Sequence, residues 1–155
     1  YKKYNNVGTI GIRMHYGDNT IQHNGMLCGI DPNKRIVFTH LNVGGYYIWQ
    51  EGVFKVFGNT AGLMMISKTN FKRFGGFSEK YINCFEDVEL NARCLLNGLE
   101  NYCDSDLVAY HYESVSRDAD PDKMKNVDYD YKNTLFPFIQ KNIFELVKKK
   151  LIYKI

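Results

Sequence analysis

Apolar positions alternate loosely with small or polar ones from Val7 to Tyr16, and the pattern resumes at Thr20-Ile21-Gln22-His23 after Gly17-Asp18-Asn19. That period predicts strand, tight turn and strand. Asp31-Pro32-Asn33-Lys34 predicts a second turn. Asn42 to Gly58 carries four glycines among Tyr46, Tyr47, Trp49, Phe54 and Phe57, the composition of a loop packed by its own aromatics and able to act as a lid. Ala61 to Ser67 is apolar but too short for a stable helix and reads as a buried strand. A short helical turn is expected from Lys68 to Phe74, stopped by Gly75-Gly76 because glycine tolerates the left-handed conformation at a helix end.

The clearest helix runs from about Asp87 to Asn97. Val88, Asn91/Ala92, Leu95 and Leu99 fall near one face, Glu89 and Arg93 pair at i,i+4, and Gly98 supplies the stop. Asp104-Ser105 predicts a turn into a strand over Leu107 to His111. After Arg117 the acidic, proline-containing stretch to Asp130 reads as a loop or linker. Tyr131 to Ile155 reads as helix with a break at Pro137. Alternating strands and helices give an α/β class, with the sheet pairing open.

Composition narrows the picture. The 155 residues are 45% hydrophobic and 24% charged, which fits one globular domain and rules out wholesale disorder. The longest apolar run, Ala61 to Ile66, falls far short of the roughly 20 residues a membrane-spanning helix needs. The net charge of +3 is small, and its lysines gather near the end at Lys141, Lys148, Lys149, Lys150 and Lys154, apart from the aromatics; both facts argue against a nucleic-acid partner. Ile143, Leu146, Val147, Leu151 and Ile152 among those lysines form an amphipathic pattern. It suits a helix packed on its own domain, or one making peripheral contact with an anionic membrane. Cys28, Cys84, Cys94 and Cys103 form no CxxC pair and no zinc spacing, so reduced thiols in a cytoplasmic protein are expected. The first residues lack the apolar core of a signal peptide, and the start reads as a cut.

The densest chemistry lies in Gly75-Gly76-Phe77-Ser78-Glu79 and Phe85-Glu86-Asp87-Val88-Glu89-Leu90, where two adjacent carboxyl groups open a helix behind a glycine-rich turn. Backbone N–H groups and the helix dipole at such a terminus favour an ionised carboxylate, the form a general base needs. The plain alternative is that Asp87 caps the helix and Glu86 is solvated. His111 ends a strand, as a metal or phosphate ligand or as a structural residue. His15, His23 and His40 have no partners at ligand spacing and read as surface or loop histidines. Asp104 and Asp106 are explained by turn chemistry.

In order along the chain, four segments resemble the C-terminal half of the catalytic domain of inverting family 2 glycosyltransferases, particularly the bacterial rhamnosyltransferase-like branch. Val7-Gly8-Thr9-Ile10-Gly11 followed by Tyr16-Gly17-Asp18-Asn19-Thr20-Ile21-Gln22-His23-Asn24-Gly25 resembles the family's middle hairpin. Asn59-Thr60-Ala61 with the strand to Ile66 resembles its acceptor-side strand. Gly75-Gly76-Phe77-Ser78-Glu79, Phe85-Glu86-Asp87-Val88-Glu89-Leu90, Arg93 and Gly98 resemble its signature, although Ser78 and Glu89 each stand where an aspartate is usual. His111-Tyr112-Glu113-Ser114-Val115-Ser116-Arg117 resembles its histidine-to-serine ending.

The resemblance implies a partial GT-A-type fold, a mixed sheet with flanking helices and a helical C-terminal tail. It implies residues 1–118 as the acceptor-and-base half of the catalytic domain and 119–155 as linker and tail. Asp87 would be the base that deprotonates an acceptor hydroxyl attacking a nucleotide sugar with inversion, and Glu86 would support it or orient the acceptor. Gly75 and Gly76 would let the backbone approach a sugar, and Thr60 and Arg117 would be substrate-binding residues. His111 would stand near the diphosphate and its Mg²⁺ or Mn²⁺. The implied partners are a nucleotide-sugar donor and a glycan or lipid-linked acceptor, as in bacterial surface polysaccharide synthesis. The family's nucleotide-binding half and its Asp-rich metal motif do not precede Tyr1, so the chain is expected to be a piece of a larger domain and inactive alone. A reading from another class is a noncatalytic carbohydrate-binding or interaction module that uses Trp49 and the tyrosines to stack on sugar rings or bases.

Overall fold

The computed structural model describes residues 4–33, 35–112, 122–149 and 152–154. Arg117 and the rest of the histidine-to-serine ending beyond Tyr112 lie outside them, as do the first three residues.

Among the described residues, two small sheets and four helices make a mixed α/β fold. In the larger sheet β1 (Val7–His15) lies parallel to β7 (Glu100–Tyr110), and β5 (Val53–Val56) pairs antiparallel on the far side of β7. The free side of β1 takes β6 (Met64–Ile66) along its first half and β2 (Ile21–His23) at its end, both antiparallel. The smaller sheet is the hairpin of β3 (Met26–Ile30) and β4 (Ile36–His40) around the predicted Asp31 turn, with β8 (Ile152–Lys154) parallel to β3.

Helix α1 (Lys68–Arg73) is capped by the Ser67 hydroxyl, which accepts from Asn70 N, and ends at Gly75 and Gly76, whose φ angles of +80° and +65° need glycine. Helix α2 (Glu86–Leu96) buries Val88, Leu90, Ala92, Cys94 and Leu95. Arg93 on α2 ties the intervening loop down. Its guanidinium donates to Phe74 O and, at 2.7 Å, to Gly76 O, and it lies 3.3 Å from Glu89, which accepts from Tyr81 Oη. The α2 face meets Leu135, Ile139 and Leu146 of the C-terminal helices in one core with Met26, Cys28, Ile36 and Phe57.

Several sequence expectations change. Ala61 to Ser67 is a 3₁₀ turn (Ala61–Leu63) followed by β6, and it is not buried: Leu63 and Met65 are exposed because β6 pairs with β1 alone. The Asn42 to Gly58 segment contains β5, whose Phe54 and Val56 are buried, whereas Tyr46, Tyr47 and Trp49 point to solvent instead of packing on one another. The Asp104-Ser105 turn is a bulge inside a continuous β7. Asp104 pairs with Ile12 and Val108 with Arg13, and the extra residues close by a hydrogen bond from Asp106 N to Asp104 Oδ1. Part of the proposed linker is helix, α3 (Lys123–Asp130), which runs through a π turn (Tyr131–Leu135) into α4 (Phe136–Lys148). Pro137 does not break this helix, because it follows a π turn that shifts the hydrogen-bond ladder. The tail ends as strand β8 rather than helix, because its backbone completes the edge of β3. All four cysteines are free, and among the described residues no helix is long and apolar enough to cross a membrane.

Candidate active site

The parallel strands β1 and β7 end side by side, with Met14 opposite Ala109 and His15 opposite Tyr110, and His111 N donates to His15 O at 2.9 Å to extend the pair. A cavity of about 350 Å³ opens at those carboxyl ends, the usual place for a ligand in an open α/β sheet. Its walls come from Tyr16, Gln22 and His23 of the β1–β2 hairpin, Met26, Phe38 and His40 of the smaller sheet, Thr60, Cys84 to Val88 except Glu86, and His111. Asp87, Thr60 and His111, distant in sequence, therefore share one cavity.

Asp87 is not the N-cap. Phe85 holds that position in the left-handed conformation (φ +77°), which is rare for a non-glycine residue and turns the chain sharply into α2. Asp87 lies in the first turn. Its Oδ1 accepts from Val88 N at 2.7 Å and its Oδ2 from Ala61 N at 2.9 Å, so α2 and the Thr60–Gly62 turn fix both oxygens. On the other side of that turn, a Cβ added to Gly62 would meet the His111 ring at 3.4 Å. The turn thus touches Asp87 through Ala61 N and lies beside the His111 ring at Gly62.

Hydrogen bonds assign the His111 tautomer. Gln22 donates its amide to His111 O at 3.2 Å, which leaves Gln22 Oε1 as an acceptor 2.8 Å from His111 Nδ1. The Nδ1 therefore carries the proton, and Nε2 is the basic nitrogen of the neutral ring. Among the described residues no three His, Cys, Asp or Glu side chains stand together as a metal site, so His111 offers a single ligand and does not by itself fit a resident ion.

His23 and His40 are not surface histidines. His23 is fully buried, with its Nδ1 2.6 Å from His40 Nδ1, a distance that requires one shared proton. Burial, and then the neighbouring His40, push the His23 pKa down to about 3, with a smaller opposing contribution from Asn59. His23 is thus neutral when folded and near 6.5 when unfolded. Between those values the unfolded chain binds the extra proton, so His23 makes stability rise with pH and fall as the solution is acidified below about 6.5. Urea denaturation from pH 7 to 4.5 should lose about 1 kcal/mol per pH unit through this group. His23→Gln should flatten that limb, and an unchanged slope would refute the assignment.

Behind the cavity, a buried amide network holds the parts in register. Asn91 on α2 donates to Asp87 O and Asn59 O, both at 2.8 Å, and its Oδ1 accepts from Thr9 Oγ1 at 2.6 Å. Asn59 donates to Thr9 Oγ1 and Tyr102 O, and Asn101 to Phe57 O and Asn91 O. Gly11 makes room, since a Cβ there would lie 2.3 Å from Asn59 Oδ1. Asp130, fully buried at the end of α3, accepts from Ile82 N, Asn83 N and Cys84 N and so fixes the loop that delivers Phe85 and Asp87.

The other expected site residues lie elsewhere. Glu86 is the first residue of α2, next to the cavity but not in its wall. Gly75 and Gly76 end α1, with Gly76 O accepting from Arg93, and Trp49 is 93% exposed on the Asn42 to Gly58 segment. Sequence reasoning missed Gln22, His23, His40, Asn59 and Asp130 as site or supporting residues. Asn91, a polar residue on the buried face of α2, was visible as an exception in the helical pattern.

Comparison with known proteins yields no matching family model and no matching solved structure. Over 120 residues, 74% of its length, the chain is 30% identical to the O-antigen biosynthesis protein RfbC of Myxococcus xanthus. The match spans 9% of that protein, so the chain is similar to a short part of a much longer polysaccharide-biosynthesis protein.

Proposed function

We propose that the chain is the acceptor-and-base part of an inverting, GT-A-type glycosyltransferase acting in surface polysaccharide synthesis. The observation that carries this reading is Asp87, held by two backbone N–H groups in the wall of a cavity that also contains Thr60 and His111. The similarity to an O-antigen biosynthesis protein supports the same direction.

In this reading the acceptor hydroxyl enters the cavity and hydrogen-bonds to an Asp87 oxygen. A carboxylate oxygen has more than one lone-pair site, so an oxygen held by one N–H still accepts from the hydroxyl. As the acceptor oxygen forms its bond to the anomeric carbon, the proton passes to Asp87 and the bond to the nucleoside diphosphate breaks on the opposite face, which inverts the configuration. Asp87 is a rigid base because Ala61 and Val88 fix it before substrate arrives, which removes an orientation cost from the barrier. His111 Nε2 and Thr60 Oγ1 are positioned to hydrogen-bond substrate in the same cavity. No step here is routed through a metal ion: among the described residues no three His, Cys, Asp or Glu side chains stand together as a metal site.

Incubation of a protein that carries this acceptor-and-base part together with a nucleotide-binding part, with UDP- and dTDP-sugars and a lipid-linked or free glycan acceptor, tests the reading. Acceptor-dependent release of the nucleoside diphosphate, with an inverted product anomer by NMR, is expected. Acceptor binding with no release under any donor would favour the noncatalytic module, and a retained anomer would overturn inversion.

A further inference from the structure

Away from the Asp87 cavity, a second hollow of about 470 Å³ is bounded by Arg13, Tyr46, Tyr47, Glu51, Ser105 and Asp106. That volume lies in the range of small-molecule sites, roughly 300–1,000 Å³. Its aromatic wall is fixed rather than loose. Gly44 N donates to Ile21 O at 2.8 Å and Ile21 N to Gly45 O at 2.7 Å on one side, while Ser105 Oγ donates to Gln50 O at 2.8 Å and Gly52 N to Asp106 Oδ1 at 2.9 Å on the other. Tyr46 and Tyr47 are nevertheless 65% and 85% exposed, which costs contact with water for large apolar rings. Arg13 Nε is buried with no hydrogen-bond partner among the described residues, an unmet donor beside that wall.

We propose that this hollow is a binding site for an uncharged saccharide. Pyranose rings present an apolar C–H face, which stacks on exposed tyrosine rings, and a rim of hydroxyls that both donate and accept. The lining supplies both functions: the Arg13 guanidinium donates, and the Glu51 and Asp106 carboxyl groups accept. Two acidic groups against one basic group oppose a phosphate, which separates a sugar from a nucleotide even though a base would also stack on tyrosine. Val43 lines the Asp87 cavity and Tyr46 follows three residues later, so one segment borders both hollows. Resting on the glycosyltransferase reading, the site holds a further sugar of an acceptor whose reacting residue lies at Asp87, and the acceptor is then an oligosaccharide.

Binding is read on the chain itself, without turnover. Trp49, its single tryptophan, lies two residues beyond Tyr47 and reports through its emission, and backbone amide NMR shifts locate the ligand. The probes are neutral hexose and 6-deoxyhexose saccharides of one to four units, with UDP as the anionic control. Millimolar binding that tightens with saccharide length is expected, with amide shifts centred on residues 44–52 and 104–106. Tyr47→Ala, at a ring 85% exposed and so of little weight for the fold, should weaken binding about fivefold to tenfold. Asp87→Asn should leave this site unchanged, so it stands or falls separately from the base. The proposal is overturned if no saccharide shifts these residues at about 100 mM, if UDP shifts them equally, or if Tyr47→Ala binds like the parent.

Discussion

Asp87→Asn should cut sugar transfer by about 10²- to 10⁴-fold, the range that a positioned general base contributes. The substitution keeps size and shape but removes the oxygen basicity needed to take the acceptor's proton. It also removes one of two acceptor atoms. Asp87 now accepts from Val88 N at 2.7 Å and Ala61 N at 2.9 Å, and an asparagine can serve only one of these with its carbonyl. The unpaired N–H costs about 1 kcal/mol, too little to unfold the domain. Donor affinity should stay within about threefold, since the base acts on the acceptor. The measurement is kcat by nucleoside diphosphate release beside donor Kd by calorimetry, at matched folded fraction, in a protein that carries this chain together with a nucleotide-binding part. Wild-type turnover in this variant would remove Asp87 from the chemistry. Loss of donor binding together with turnover would make it a structural residue.

How much of this was legible in the sequence depends on the range of the interaction. Helix α2 and the glycine stop after α1 are written in contiguous residues: Val88, Leu95 and Arg93 at helical spacing, and Gly75-Gly76 where φ must turn positive. The strand edges were harder. Met64–Ile66 reads as a buried strand by composition, but whether Leu63 and Met65 meet protein or water depends on which strands flank β6, and apolar runs carry no record of that. Pro137 misled for a related reason. Its effect on a helix depends on the hydrogen-bond register behind it, and the π turn at Tyr131–Leu135 changed that register. In the site, Asp87 and His111 stood out as residue types in recognisable surroundings. The residues that hold them did not, because Gln22 acts on His111 and Asn91 on Asp87 only once β2, β7 and α2 have met. The His23–His40 pair is the clearest case. Each histidine alone looked solvated, and only the contact between β2 and β4 makes one of them buried and neutral.

Asp130→Ala should destabilise the protein by about 3–5 kcal/mol, the largest stability loss expected for any single side chain near the site. The Asp130 oxygens accept from three successive amides: Ile82 at 2.9 and 3.0 Å, Asn83 at 2.7 Å and Cys84 at 3.1 Å. Asp130 has no exposed surface, so water cannot simply replace it, and alanine would leave those donors facing an apolar void. Each unmet donor costs about 1–3 kcal/mol, less where Ile82 relaxes toward solvent, which places the total in that range. The melting temperature should fall by roughly 10 °C. Asp130→Asn should lie between, since its carbonyl still accepts while its NH₂ opposes one of the amides. The loss has a direction, because the three amides lead straight into Phe85, whose left-handed backbone must be held for Asp87 to reach Ala61. Hydrogen exchange should therefore accelerate first at Ile82 to Cys84 and then in the opening turn of α2, ahead of the sheet. A variant that melts within about 2 °C of the parent, or one that loses protection evenly across β1 and β7, would show that the loop keeps its shape without α3. The expected pattern makes the C-terminal helices part of the active-site frame, because the group that fixes the approach to Asp87 comes from 43 residues further along the chain.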